Sequence, residues 1–339
     1  YLGYSQTELA SHIVGLSQSN LSKFEKGIGL LSSEVIQRII DFLGFPEEFY
    51  SEKISNNVEN AHYRRKSGIS KKDRSYIEYS NKLIGYIVDE MADSIEFPDI
   101  KLRLIDLEEG YTPESAAQFI RKYMGLKDEP INNICSLLER YGIIIVEQDL
   151  DVDAFDGVSF MTDRGYYVMI INKNFSNDHK RFTISHELGH IVMHLSLQYP
   201  IPEYRDKENE ANRFASEFLM PETAIRNSLY GLKLHYLAPL KTYWLTSMAS
   251  IVRRAKDLKC ISEDKYKYFN VELSRKGYKK KEPINVNIDT PLLYYEAYNL
   301  FKTELHYTNE DLSKAFKLPI NIIQQYCVKP SAVKLRIVS

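Results

Sequence analysis

No stretch of the chain supplies the roughly 20 consecutive apolar residues that a membrane-spanning helix requires, and no secretory leader is visible at its start. Cysteine is scarce. Cys135, Cys260 and Cys327 are three in number and far apart, so they make neither a disulfide framework nor a CxxC zinc signature. These absences lead us to expect a protein of the reducing cytoplasm, without a membrane partner. An excess of one charge is missing too: 44 Lys and Arg face 46 Asp and Glu, a formal net charge of -2. The chain as a whole is therefore no electrostatic sleeve for nucleic acid, and any such binding must come from a local patch. No long repeat or low-complexity tract appears. The composition that remains, 44% hydrophobic and 27% charged over 339 residues, is that of a globular protein with room for two or three domains. The chain opens at Tyr1 rather than methionine, so residues are expected upstream.

Hydrophobic periodicity divides the chain. Leu9, Ala10 and Ile13 stand at helical spacing, Gly15 suits a tight turn, and a second helix is expected from an N-cap at Ser17 to a stop at Gly27. Ser32 to Gly44 reads as another capped amphipathic helix. Short helices joined by a glycine turn make the helix-turn-helix pattern. A basic, polar stretch from Glu59 to Arg74 reads as a linker or arm. A long helix is expected from about Asp73 to Ile95, with others near 113–124 and 130–141. Gly142 to Gln148 reads as a buried strand, and Gly157 to Asn172 as a hairpin with Gly165 in its turn. Helices return at about 178–197 and 208–219, and the pattern after Pro221 is mostly helical. We expect a mainly α fold with a small β-sheet (α+β). Its parts would be a helix-turn-helix domain at 1–58, a basic linker at 59–75, a larger α+β domain at 76–283 and a small helical region at 284–339.

The chemistry concentrates in "FTISHELGHIVMH", Phe182 to His194. Residues four apart on a helix lie one turn apart on one face, so His186 and His190 can ligate one zinc ion through neutral imidazole. Glu187 lies about 100° around the helix, too far to chelate beside them but placed to take a proton from a water on the metal. A string of this kind arises by chance in such a chain at roughly the 1–2% level. A catalytic site needs a third ligand. In "KENEANRFASEFLMP" (Lys207 to Pro221), Glu210 sits beside an inward stripe of Ala211, Phe214, Ala215, Phe218 and Leu219, with Glu208 and Glu217 as competitors. His194 continues the histidine ladder but cannot easily converge on the same ion, which suits a supporting role. His179 is a weaker candidate. Imidazole and carboxylate favour zinc, though other divalent ions also fit such donors.

The two motifs together resemble the ImmA/IrrE family of metallopeptidases over roughly 64–283. The resemblance implies His186, His190 and Glu210 as zinc ligands and Glu187 as catalytic base. It also implies a protein substrate, in similar members a repressor whose removal switches on stress or mobile-element genes.

The first fifty residues resemble the phage-repressor type of helix-turn-helix, with Ser17 to Lys26 as recognition helix and a first helix that would begin before Tyr1. Gln18, Ser19, Asn20, Ser22 and Lys23 would then face a DNA operator, with Ser17 at the cap. Gln and Asn suit adenine, and Lys23 suits phosphate or guanine. Gln6 would meet a backbone phosphate. Residues 1–50 carry three basic and six acidic side chains, 3 − 6 = −3, poor for neutralising phosphate. The basic arm (Arg64, Arg65, Lys66, Lys71, Lys72, Arg74) could compensate by folding back. The run "RKGYKKK" (Arg275 to Lys281) reads as a solvated charged loop rather than a nucleic-acid contact.

The leading expectation is a two-headed regulator: a DNA-binding module in front of a zinc endopeptidase, possible as a homodimer. The alternative is a non-catalytic transcription factor or antitoxin-like protein whose metallopeptidase-like part is a sensor or dimerisation body. The intact set of His186, Glu187, His190 and Glu210 favours catalysis, because a purely structural zinc needs no free carboxylate beside an open position.

Overall fold

A computed structural model of the chain describes residues 2–52, 54, 70–149 and 155–328. Arg64, Arg65 and Lys66 of the expected basic arm lie outside the described residues, as does the end of the chain after 328. Fifteen α-helices and three strands follow one another among the described residues. The helices are α1 (Gln6–His12), α2 (Gln18–Glu25), α3 (Ser33–Leu43), α4 (Lys71–Met91), α5 (Pro113–Tyr123), α6 (Ile134–Glu139), α7 (Asn177–His194), α8 (Lys207–Leu219), α9 (Glu222–Leu229), α10 (Leu237–Trp244), α11 (Met248–Asp257), α12 (Glu263–Arg275), α13 (Leu293–Thr303), α14 (Asn309–Phe316) and α15 (Ile320–Cys327). The strands are β1 (Ile143–Gln148), β2 (Gly157–Met161) and β3 (Tyr167–Asn172), all between α6 and α7. The fold is mainly α with one small sheet. No helix among the described residues is long and apolar enough to cross a membrane.

The chain divides into two compact units. The first unit gathers residues 1–56, 69–96 and 294–339. Serines start its helices: Ser5, Ser17 and Ser32 each accept a hydrogen bond from the backbone three residues on, the arrangement that satisfies otherwise orphaned N–H groups. Gly15 turns between α1 and α2 at φ +84°, a conformation that favours glycine. Ile13, Leu16 and Leu21 form the small core, with Leu9, Val35 and Ile39 against it.

Helix α4 begins earlier than the sequence reading has it. Ser70 caps it by accepting from Asp73 N–H, so Lys71, Lys72 and Arg74, read as linker, belong to its first turns. It also lies in the first unit rather than at the head of the metallopeptidase part. Tyr326 of α15 donates to Ser80 of α4 at 2.9 Å, and Phe49 meets Tyr86 edge-on. The C-terminal helices thus pack on α4 and do not stand as a separate region.

The second unit is built on the sheet, in the order β1-β3-β2. β1 runs parallel to β3, with Ile143 opposite Tyr167, and β2 runs antiparallel, with Gly157 opposite Ile171. The hairpin closes through Gly165 at φ +93°. Central β3 is buried along its whole length, as its apolar run requires. Helix α7 packs on β2 and β3, and α8 packs along α7. Two glycines set these approaches. A Cβ at Gly157 would stand 2.7 Å from Thr183 Cγ2, and one at Gly189 would stand 3.1 Å from Phe214 Cδ1 and 3.3 Å from Ala211 Cα. Phe214 and Phe218 are fully buried where α8 meets the core, each worth about 1.5–3 kcal/mol of hydrophobic stabilisation.

Candidate metal centre

Close packing of α7 and α8 brings the histidines of one against the first turn of the other. His186 and His190 stand one turn apart with their Nε2 atoms 3.0 Å from each other. Glu208, in the first turn of α8, places one carboxylate oxygen 3.6 Å from His186 Nε2 and the other 3.5 Å from His190 Nε2. These three side chains form a group whose donor atoms suit one metal ion. In a tetrahedral site with bonds of about 2.0–2.1 Å, neighbouring donors lie about 3.3–3.4 Å apart. The observed separations bracket that value.

The outer hydrogen bonds select the tautomers that a metal needs. His186 Nδ1 lies 3.1 Å from Asn212 Oδ1. An amide oxygen only accepts, so Nδ1 carries the proton and Nε2 keeps its lone pair. Glu210 Oε2 accepts from His194 Nε2–H at 2.9 Å, and His194 Nδ1 lies 3.0 Å from His190 Nδ1. The chain of bonds runs Glu210, His194, His190, and it too leaves Nε2 of His190 bearing a lone pair. Two imidazole nitrogens and a carboxylate this close together can hold a cation. Such partners fix ligand orientation and raise ligand basicity. Burial pushes His194 down, against the pull of Glu210.

Glu210, the ligand implied by the family resemblance, is thus turned toward His194 and Arg205. Arg205 meets its two oxygens at 2.9 and 3.2 Å. Burial raises the Glu210 carboxyl, but these bonds outweigh it and hold it below the usual range. Glu208 is the carboxylate that meets the histidines. Glu217, the third competitor, is fully buried in an ion pair with Arg254 and accepts from Gln118, which is a structural role. His179 stacks on Phe175 with ring centres 4.2 Å apart, two turns up α7 from His186.

Glu187 is held from the sheet. Ser159 of β2 donates to its Oε2 at 2.7 Å. The close approach at Gly157 makes this possible, because Thr183 and Glu187 are one turn apart on α7 while Gly157 and Ser159 share a face of β2. Ser159 went unnoticed in the sequence reading. Its signal was a polar side chain inside an apolar strand. The site opens on one side: the side chains of Glu208 and His186 are 41% and 14% exposed, against 5% for His190.

Residues 138–256 match the peptidase family described as the IrrE N-terminal-like domain, and they contain every side chain of this centre. Residues 2–50 match the helix-turn-helix family. The domain at 138–256 is of the ImmA/IrrE type. No curated protein matches the chain. It therefore joins a helix-turn-helix domain of the DNA-binding kind to an IrrE-like domain of a metallopeptidase family.

In the helix-turn-helix domain, Ser17, Gln18, Ser19, Asn20 and Lys23 are exposed on α2, with Ser22 half-buried. Ser17 is used as the helix cap, accepting from Asn20 N–H. Gln18 donates to Gln6 Oε1 at 2.8 Å, and Gln6 in turn donates to Glu25. The two glutamines are thereby ordered across α1 and α2. Lys72 of α4 lies against Gly3 and, through its charge, against Glu8, so part of the basic arm does reach this acidic domain.

Proposed function

We propose that the IrrE-like domain is a zinc endopeptidase and that His186, His190 and Glu208 hold the ion, with Glu210 as the carboxylate behind His194. The observation that carries this reading is the convergence of two imidazole lone pairs and the Glu208 carboxylate beside an anchored Glu187. Zinc bound there would polarise a peptide carbonyl and acidify a water. Glu187 takes the proton as the C–O bond forms and returns it to the amine as the C–N bond breaks. Ser159 keeps its carboxylate aimed. His194 and Glu210 hold the His190 ring in one tautomer, and Asn212 does the same for His186.

The substrate we infer is a protein, a repressor above all, since the same chain carries a helix-turn-helix domain. That domain would read an operator through Gln18, Asn20 and Lys23, with Gln6 orienting Gln18. The test is to express the protein with its genomic neighbours and compare wild type with Glu187→Gln. Cleavage of one neighbour should occur with wild type and vanish in the variant. Cleavage that persists in Glu187→Gln, or no cleavage of any neighbour by zinc-loaded wild type, overturns the catalytic reading.

A further inference from the structure

A cleft of about 740 Å³ lies in the second unit along the same face of α7 as the metal-centre histidines. One wall is Phe175, His179 and Phe182. His179, Phe182 and His186 follow at i, i+3 and i+7, which is one stripe of a helix. The Phe182 ring centre is 6.5 Å from that of His186, and the rise between them is about 6 Å. The cleft thus ends one turn short of the proposed metal.

The opposite wall is the loop from Tyr278 to Asn285, and it is anchored. Glu282 accepts from Met248 N–H at 2.9 Å and from the buried Lys241 Nζ at 2.6 Å. Asn177, at the start of α7, donates to Val286 O at 2.9 Å. Just before these anchors the loop presents Lys279, Lys280 and Lys281, all exposed. The lining charges are Lys241, Lys279, Lys280 and Lys281 against Asp178 and Glu282, 4 − 2 = +2. Both acids are already engaged by Lys241. What faces a ligand is therefore a row of three lysines on one wall together with the apolar side chains of Phe175, Phe182 and Ile284. A phosphate backbone would use the lysines alone, whereas an acidic polypeptide segment with an apolar or aromatic side chain uses both.

We propose that this cleft receives an acidic segment of the protein substrate, with an apolar side chain among its carboxylates, and so leads the neighbouring peptide bond to the metal centre. The substrate class rests on the endopeptidase reading, but binding in the cleft needs no cleavage. The run read from sequence as a solvated loop is on this view a specificity element.

The test measures binding to the full chain by fluorescence anisotropy. The probe is a fluorescein-labelled nonapeptide alternating Asp and Glu with Phe and Leu. Comparators are its Asn/Gln counterpart and a 12-nucleotide single-stranded DNA. At low salt the acidic peptide should bind about tenfold more tightly than the neutral one, and the difference should close at roughly 0.5 M salt as screening shortens. Reversing Lys279, Lys280 and Lys281 to Glu should weaken the acidic peptide about tenfold without changing the melting temperature, since these side chains are exposed. Lys→Gln at the same positions should give an intermediate loss. His186→Ala should leave binding intact, so that failure of the peptidase reading and failure of this one give different results. A benzoylphenylalanine in place of one Phe should crosslink within residues 175–182 or 278–285. Equal binding of acidic and neutral peptides, indifference to charge reversal, crosslinking elsewhere, or DNA outcompeting the peptide at these lysines each overturns the proposal.

Discussion

Glu208 and Glu210 stand two residues apart in the first turns of α8, and the proposed centre gives them opposite tasks that two substitutions separate. Glu208 lies within 3.6 Å of both metal-centre imidazoles and its side chain is 41% exposed. Glu208→Gln removes the charge that faces the two imidazoles, on a side chain that is partly open to solvent. Zinc affinity should fall by more than the 10- to 100-fold that loss of a partner behind a ligand produces. The stability of the zinc-free protein should move by no more than about 0.5 kcal/mol, as for an ordinary surface change. Glu210→Gln acts the other way. It breaks the two-point contact with Arg205 and the bond to His194, in a site where the Glu210 and Arg205 side chains are 11% and 15% exposed. Breaking a buried pair costs about 3–5 kcal/mol, and partial solvent access here brings that to about 2 kcal/mol. For a domain of this size the melting temperature should drop by roughly 4–8 °C, with zinc affinity reduced only about 10- to 100-fold. Competition against a chromophoric chelator measures the affinity, and melting of zinc-free protein measures the stability. If Glu210→Gln abolished zinc binding at an unchanged melting temperature while Glu208→Gln still bound zinc tightly, the assignment would be reversed.

Three further outcomes follow from other contacts. Ser159→Ala removes a hydrogen bond to a charged carboxylate, worth about 1.5–3 kcal/mol; kcat on a cleaved substrate should fall roughly tenfold or more at constant KM, and Ser159→Thr should restore much of it, whereas an equal loss in both variants would deny the hydroxyl a positioning role. Burial raises the Asp178 carboxyl, but the hydrogen bonds from Lys241 and Ser176 and the Lys241 charge outweigh it and hold it below its ordinary 3.8. A depressed folded value means stability that is present above the unfolded value and lost as pH falls through the folded one; denaturant unfolding should therefore show Asp178→Asn less stable than wild type at pH 7, with the gap closing below about pH 3.8, and a gap independent of pH would refute this origin. In the helix-turn-helix domain, Asn20→Ala should relax base preference at one operator position, while Lys23→Ala should weaken binding to all sequences and lower the salt slope by about one; gel shifts across a salt series would show it, and unchanged binding in the double variant would remove α2 as the recognition helix.

Much of this was legible because local rules and tertiary packing agree. The Ser17 cap, the Gly15 and Gly165 turns, the apolar β3 and the spacing of His186 and His190 each depend on a few neighbouring residues, and the structure has them where periodicity puts them. The boundaries of α4 moved because capping by Ser70 starts the helix ahead of its first apolar position. Its membership of the first unit was not legible at all, since an amphipathic stripe states that a helix has a partner but not which one. The choice between Glu208 and Glu210 was hidden for a similar reason. Two residues apart on a helix means about 200° of rotation, so the line of contact between α7 and α8 decides which carboxylate meets the histidines. That line is set by Gly189 against Phe214 and Ala211, a packing fact with no trace in the spacing of acids.

The same packing explains why the third histidine of the ladder is not redundant. His194 cannot join His186 and His190 around one ion because it stands a further turn along α7, yet its Nδ1 is 3.0 Å from His190 and its Nε2 is 2.9 Å from Glu210. A histidine four residues beyond a ligand is at the distance from which a neighbouring ring can be held in one tautomer. The carboxylate two residues beyond Glu208 is, in turn, at the rotation from which it meets that histidine. One helix-helix interface therefore positions all five side chains at once. A substitution that shifted α8 by a fraction of a turn would disturb the ligand and its support together, which is why Gly189, though it touches no metal, constrains the centre as tightly as the residues that would.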